Sequence, residues 1–380
     1  MADTIGPRRR AQPVCVPSPA RGAWRDTSTQ EKSRVVDTTA PRHAGDLKDD
    51  SVGAFIAADV GGTFARLGLA RGCSEAPEII GQRRYACADF PSLAAVLRRF
   101  GEELKAESLG ARPVAAVVAI AGVLQGDVLL NSNLPWSVSL AATREEAGLS
   151  TLELINDFQA LAWALPQVSQ TQMTALHAAD VELAELPALL LGPGTGLGAA
   201  LLVSDPSGYR VLPSEAGHAA LTAGNPLEME ILQGLQQQFA HVDAERILSG
   251  TGLMTLYGAL CRREGVAPRW TLPAEVVAAA DAGDDPIALH CLEVFCAWLG
   301  SYAGDLAITF CAKSVYLAGG IAGHIGHYLQ RGGFMQRFLD KGVLAPALRQ
   351  VPVFCIDHGW LGVIGAAAWH EANGLRFTAV

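Results

Sequence analysis

The stretch AFIAADVGGTFARLGLA, residues 54–70, decides how the rest of the chain is read. A short apolar run ends near Asp59, Gly61-Gly62-Thr63 breaks it, and the alternating ARLGLA follows. An apolar run, a glycine turn and a second run of period two predict a β-hairpin. The pattern returns at residues 186–203, LPALLLGPGTGLGAALLV, with Gly194, Gly196 and Gly198 in the turn. Two such units, each opening an α/β segment, predict a duplicated α/β architecture whose halves face one another across a cleft.

The surrounding segments fit that frame. SLAAVLRRFGEEL (92–104) reads as a helix, and VAAVVAIAG (114–122) has the length and valine content of a strand buried on both faces of a largely parallel sheet. DVLLNSNLPW (127–136) reads as a short strand entering a loop, LELIN (152–156) as a buried strand, and DFQALAWAL (157–165) as a helix that starts where it stops. Beyond the second hairpin, EMEILQGLQQQF (228–239) and ALHCLEVFCAWLGSYAGDLAITF (288–310) are helical patterns. VYLAGG (315–320) is a strand opening a helix, and PVFCI (352–356) is a last strand before the small-residue helix GVIGAAAWHEA (362–372). The expected division is a disordered tail over 1–51, one α/β lobe over 52–167 plus 360–376, and a second over 168–359.

Bulk composition excludes several classes. At 380 residues the chain exceeds what one hydrophobic core supports, and with 50% hydrophobic and 18% charged residues most of it should fold. A formal net charge of -9 offers no global attraction to nucleic acid. The run Arg8-Arg9-Arg10 could be read as an RNA-binding arm, but nearby acids dilute it and it reads as solvated. The eight cysteines form no C-x-x-C pair, so reduced, mostly buried thiols are expected. No apolar run approaches the roughly 20 residues needed to cross a bilayer, and the N-terminus lacks secretory order, which places the expected protein in the cytoplasm with no membrane partner.

Candidate chemistry gathers at strand ends and turns. Phosphoryl transfer needs backbone N–H groups around a polyanion, a magnesium ion and an oriented nucleophile. Gly61-Gly62-Thr63 and Gly194-Thr195-Gly196 could let amides approach phosphate, although tight turns contain glycine for geometry alone. Asp59 could hold a hydrated magnesium ion or merely cap its turn. Asp157 could be a general base, ionised by the helix N-terminus it faces, or only a cap for that helix. Asn156 offers a donor and an acceptor suited to a sugar hydroxyl. Glu215 and His218 in SEAGH could converge on one ligand, although a histidine after a glycine is more often structural. Glu245 in AERILSG could accept from a hydroxyl or pair with Arg246 on the surface.

In order along the chain, DVGGTFARL, AIAG, NSNLPW, LINDF, GPGTGLG, SEAGH, HVDAERILSG and LAGGI resemble the bacterial glucokinase family, from about Ala54 to near His370. That resemblance implies an actin- and hexokinase-like (ribonuclease H-like) fold of two α/β lobes around a cleft. It also implies ATP- and Mg2+-dependent phosphorylation of D-glucose to glucose 6-phosphate, the first step of glycolysis, in a homodimer. Carried over by position, Asp157 looks like the base on the sugar's primary hydroxyl, and Asn156, Glu215, His218 and Glu245 look like sugar ligands. Gly61, Gly62 and Thr63 resemble the first phosphate loop, Gly194, Thr195 and Gly196 the second, Gly319-Gly320 the adenosine-side turn, and Asp59 the magnesium residue. Two departures are visible: Phe64 stands where the family usually has Asn, and Val123 where proline is common.

Rival readings are a related repressor and sugar-kinase group, a kinase for a related hexose, and a catalytically weak sugar-binding regulator suggested by Phe64. The repressor group typically follows Glu-x-Gly-His with a cysteine-rich zinc cluster. Residues 219–260 hold no cysteine, and nothing before Ala54 reads as a helix-turn-helix.

Overall fold

The computed structural model describes residues 53–71, 77–108, 113–130, 134–177, 185–206, 208–331 and 333–373. The expected tail, Cys15, Cys73 and Asn131–Asn133 of NSNLPW lie outside them. The first hairpin is β1 (Phe55–Val60) and β2 (Phe64–Arg71), followed by β3 (Glu78–Ala86), α1 (Leu93–Ala106) and β4 (Ala115–Ile120). A small sheet of β5 (Val123–Gln125), β6 (Val128–Leu130) and β7 (Val138–Ser139) leads to α2 (Leu140–Ala147), β8 (Thr151–Ile155) and α3 (Asp157–Ala164). The first large sheet has the order β3-β2-β1-β4-β8. Within it β1 runs antiparallel to β2 and parallel to β4, and β4 runs parallel to β8.

The second half repeats this plan. Its strands are β9 (Met173–His177), β10 (Ala188–Pro193), β11 (Leu197–Asp205), β12 (Gly208–Ser214), β13 (Ser314–Leu317) and β14 (Val353–Ile356), in the order β12-β11-β10-β13-β14-β9. The first five follow the order and directions of the other sheet, and β9 is added antiparallel at the edge. Between β12 and β13 lie α4 (Pro226–Gln236), α5 (Gly250–Arg263), α6 (Pro273–Ala282) and α7 (Pro286–Thr309). Then come α8 (Gly320–His324), α9 (Gly326–Gln330), α10 (Gly333–Leu339), α11 (Ala345–Leu348) and, after β14, α12 (Leu361–Ala372).

Strand alternation decides which layer each face meets. In β1, Ile56, Ala58 and Val60 pack on Leu93, Leu97 and Phe100 of α1, while Phe55 and Ala57 pack with Val363, Ala366 and Ala367 of α12. On the second sheet Leu190 and Ala200 pack with Leu161 and Ala164 of α3. Helices α3 and α12 therefore lie between the two sheets, at close range: a Cβ on Gly365 would come 1.7 Å from the Ala160 carbonyl oxygen. Any larger residue there would force the two helices apart.

One expectation is corrected. Helix α7, of 24 residues, is long and apolar enough to cross a membrane by length and composition, although no apolar run of that size was expected. Polar residues such as His290, Glu293 and Asp305 interrupt its sequence without lowering its mean hydropathy below that of a span. It belongs to the core: Leu292, Phe295, Cys296, Trp298 and Leu299 are buried in the second half. Of the described cysteines, all free, Cys87, Cys261, Cys291 and Cys296 are buried, Cys355 is half-buried and Cys311 exposed.

Candidate active site

The end of β1 and the start of α3 bring two carboxylates to one side of the first sheet. Arg66 is the cross-strand partner of Asp59 and donates from Nη1 to Asp59 Oδ2 at 3.3 Å. The row continues through Ala119 of β4 to Ile155 of β8, one residue short of Asn156. Asp59 and Asp157 thus start two strands apart, about 10 Å in backbone spacing. Helix α12 closes over Asp59, since a Cβ on Gly362 would come 2.6 Å from Asp59 Cγ.

The cap question resolves in favour of Asn156. Its Oδ1 accepts from the Gln159 N–H at 3.0 Å, and Asp157 is the first residue of α3. Such a cap is worth about 1 kcal/mol. Asp157 still accepts from the Phe158 N–H at 2.9 Å. The helix N-terminus was expected to hold the carboxyl in its ionised form, but burial outweighs that bond and raises the Asp157 pKa, with the Glu215 charge adding to the rise. Asp59 is pushed up to about 6, first by burial and further by Asp157, against the pull of Arg66. Asp157 is thus coupled to one acid from each half: its charge raises Asp59, and the Glu215 charge raises Asp157.

The two glycine turns differ in construction. In the first, Gly61, Gly62 and Thr63 are exposed. The Gly61 N–H donates to the Phe64 carbonyl at 3.0 Å, and the Cys87 N–H donates to the Thr63 carbonyl at 2.9 Å. Cys87 Sγ adds a bond to the Gly61 carbonyl at 3.2 Å. In the second, Gly194 N–H donates to Gly196 O and Gly250 N–H to Gly194 O, both at 2.8 Å. Glu245, expected to face the sugar, places its Oε2 on this turn and accepts from the Leu197 N–H at 2.8 Å. Nor does it form the surface pair with its neighbour, for the Arg246 guanidinium lies 4.3 Å over the Phe239 ring.

Gly319 abuts the same turn: its φ is +95°, and a Cβ there would come 2.6 Å from the Pro193 carbonyl oxygen. Beside Gly319-Gly320 opens a cavity of about 520 Å³ whose lining includes Thr171, Gln172, His324, Asp357 and His358. Burial lowers the His358 pKa, and the charge of Arg66 lowers it further. Glu215 is exposed at the end of β12. The His218 side chain is 59% exposed and its Nδ1 lies 3.6 Å from Asp243 Oδ2, which leaves the ring free to meet a ligand.

Among the described residues no three His, Cys, Asp or Glu side chains form a chelating set. Asp59 still fits a hydrated magnesium ion shared with a phosphate donor, because it is a half-buried carboxylate with one guanidinium against it and another acid nearby. Sequence reading missed Arg66 and His358. Period-two alternation from Asp59 across the turn could have placed Arg66; no local signal marks His358.

The sequence model of the family described as Glucokinase matches residues 56–373. A "Glucokinase-like protein" of Xylella fastidiosa strain 9a5c is 41% identical over 327 residues, covering 84% of this chain and 95% of its own. A "Glucokinase" of Chromobacterium violaceum is 39% identical over 321 residues, covering 83% of this chain and 89% of its own. The crystal structure of a glucokinase from an Antarctic psychrotroph superposes with a TM-score of 0.72 at 32% identity, over 84% of this chain and 98% of that one.

Proposed function

Because the chain belongs to the glucokinase family of sugar kinases, we propose that it transfers the terminal phosphoryl group of ATP to the primary hydroxyl of D-glucose. The observation that carries this reading is Asp157: a half-buried carboxylate with a raised pKa, freed from the N-cap position by Asn156, and acting on or acted on by acids from both halves, raising Asp59 and raised by Glu215.

Asp157 accepts the proton of the C6 hydroxyl as that oxygen bonds to the terminal phosphorus. The bond between that phosphorus and the β–γ bridging oxygen breaks, and ADP leaves. Raising a carboxyl's pKa strengthens it as a base, which suits a hydroxyl nucleophile. The Asn156 amide, Glu215 and the exposed His218 ring take the sugar hydroxyls. Gly61–Thr63 and Gly194–Gly196 hold the phosphates with backbone N–H groups, and the Gly319-Gly320 side receives the adenosine. Glu245 keeps the second turn in shape and has Oε1 left for the sugar. Asp59 would hold magnesium through water; the ion, when bound, neutralises phosphate charge. Closure of the lobes excludes water, so ATP is not spent on hydrolysis.

The lobes are taken as 52–167 with 360–376, and 168–359. Their two crossings touch, since the Asp357 N–H donates to Gln172 O at 2.9 Å. A coupled assay over a panel of hexoses with ATP and magnesium tests the reading, with glucose expected to give the highest kcat/KM. Tight glucose binding without turnover would instead favour the sugar-binding regulator, and a higher kcat/KM for mannose or glucosamine would reassign the substrate.

A further inference from the structure

The charge row of the first sheet does not stop at Arg66. Arg84 of β3 is its cross-strand partner, so two guanidinium groups stand side by side on the face that carries Asp59. Like charges directly opposite on a sheet disfavour folding unless something offsets them. Arg66 has Asp59. Arg84 has no carboxylate partner among the described residues, whereas its neighbour Arg83, on the other face, reaches Glu103 and Glu107. What Arg84 has is the ring of Phe64, with its Cζ 4.3 Å from the centroid.

Phe64 directly follows Gly61-Gly62-Thr63, and its carbonyl closes that turn through the Gly61 N–H. The ring therefore anchors an unpaired cation at the lip of the first glycine turn. The site it faces holds Asp59, Asp157 and Glu215, a concentration of negative charge that repels an incoming phosphate. Arg66 is already committed to Asp59, which leaves Arg84 as the uncommitted cation of the row.

We propose that Arg84, held in place by Phe64, contacts the terminal phosphate of the nucleotide and sets the preference for a triphosphate over a diphosphate. The inference rests on the ATP-dependent reading above. A phenyl ring cannot itself donate to phosphate, and the stacked guanidinium supplies the donors in its stead.

The test is equilibrium binding of AMPPNP and of ADP, each with magnesium, to the full chain, together with steady-state kinetics. In R84Q the affinity for AMPPNP should fall about tenfold or more, the range of a lost charged hydrogen bond, while that for ADP changes less than about twofold. KM for ATP should rise with KM for glucose unchanged. R84K should recover most of the loss, and F64L, which removes the ring but keeps an apolar side chain, should reproduce part of it. R83Q removes the same charge from the opposite face and should leave both affinities as they are. If R84Q binds AMPPNP as tightly as the parent, or loses AMPPNP and ADP equally, the proposal is wrong. A parent that binds AMPPNP but does not phosphorylate glucose would overturn the kinase reading while the Arg84 measurement still stands.

Discussion

The two glycine turns occupy the same place in a repeated topology and are held in opposite ways. The turn after β1 is exposed and tied down by one residue, Cys87, through its N–H and its thiol. The turn after β10 is clamped from three sides, by the Glu245 carboxylate, the Gly250 N–H and the close approach of Gly319. Duplication therefore preserved the backbone plan and not the supports. On the proposed function, the second turn is a preorganised seat for the donor and the first is one that its ligand can shape.

The comparison breaks most visibly at the chemistry, which it assigns to the first half. Asp157→Asn should lower kcat by roughly 10²- to 10⁴-fold with little change in KM, as expected for loss of a general base. Rapid-quench measurement of the chemical step checks this, and a kcat within a few-fold of the parent would remove Asp157 from the reaction.

The next effect concerns pH. The Asp59 carboxyl titrates at about 6 in the folded protein against an ordinary value of 3.8, so the native state holds the proton more tightly than the unfolded chain. Its contribution to stability is then complete below 3.8 and is lost as pH rises through about 6. Asp59→Asn removes that titration. The stability gap between variant and parent should open in favour of the variant by up to about 3 kcal/mol between pH 4 and pH 7, tempered by the solvent that reaches the group. Urea unfolding at several pH values measures it, and a gap that does not change with pH would refute the buried-charge account.

Glycine substitutions sharpen the contrast directly. A Cβ on Gly196 would come 2.3 Å from Glu245 Oε2, while one on Gly61 would meet only the Phe64 carbonyl oxygen at 3.8 Å. Gly196→Ala should destabilise by about 1–3 kcal/mol and raise KM for ATP, and Gly61→Ala should stay within about 0.5 kcal/mol of the parent. Thermal unfolding of the pair decides it; equal losses would mean the turns are supported alike.

Much of this was legible in the sequence because it is local. A strand, a glycine turn and a second strand share one short window, so both hairpins and the acids at their ends could be placed. LELIN running into DFQALAWAL likewise fixed Asn156 and Asp157 at a strand end, though not which of them caps the helix, since either side chain can. Edge strand β3, EIIGQRRYA, carries charge on both faces and lacks clean alternation. The hold of Glu245 on Leu197 joins residues 48 positions apart, and no local pattern reports it. Arg84 and His358 depend on strand register and on the return of the chain after β14. Helix α7 is apolar on nearly every side because the second half surrounds it, a property of the finished fold that composition alone does not separate from a membrane span.

Helix α12 covers the face of β1 that holds Asp59, yet it is the last helix among the described residues to leave the ribosome, some 200 residues after β8. At ordinary rates of synthesis that is about 10–40 s during which α3 alone covers that side of the first sheet. A truncation before Leu361 should accumulate as aggregate, not as a smaller folded protein.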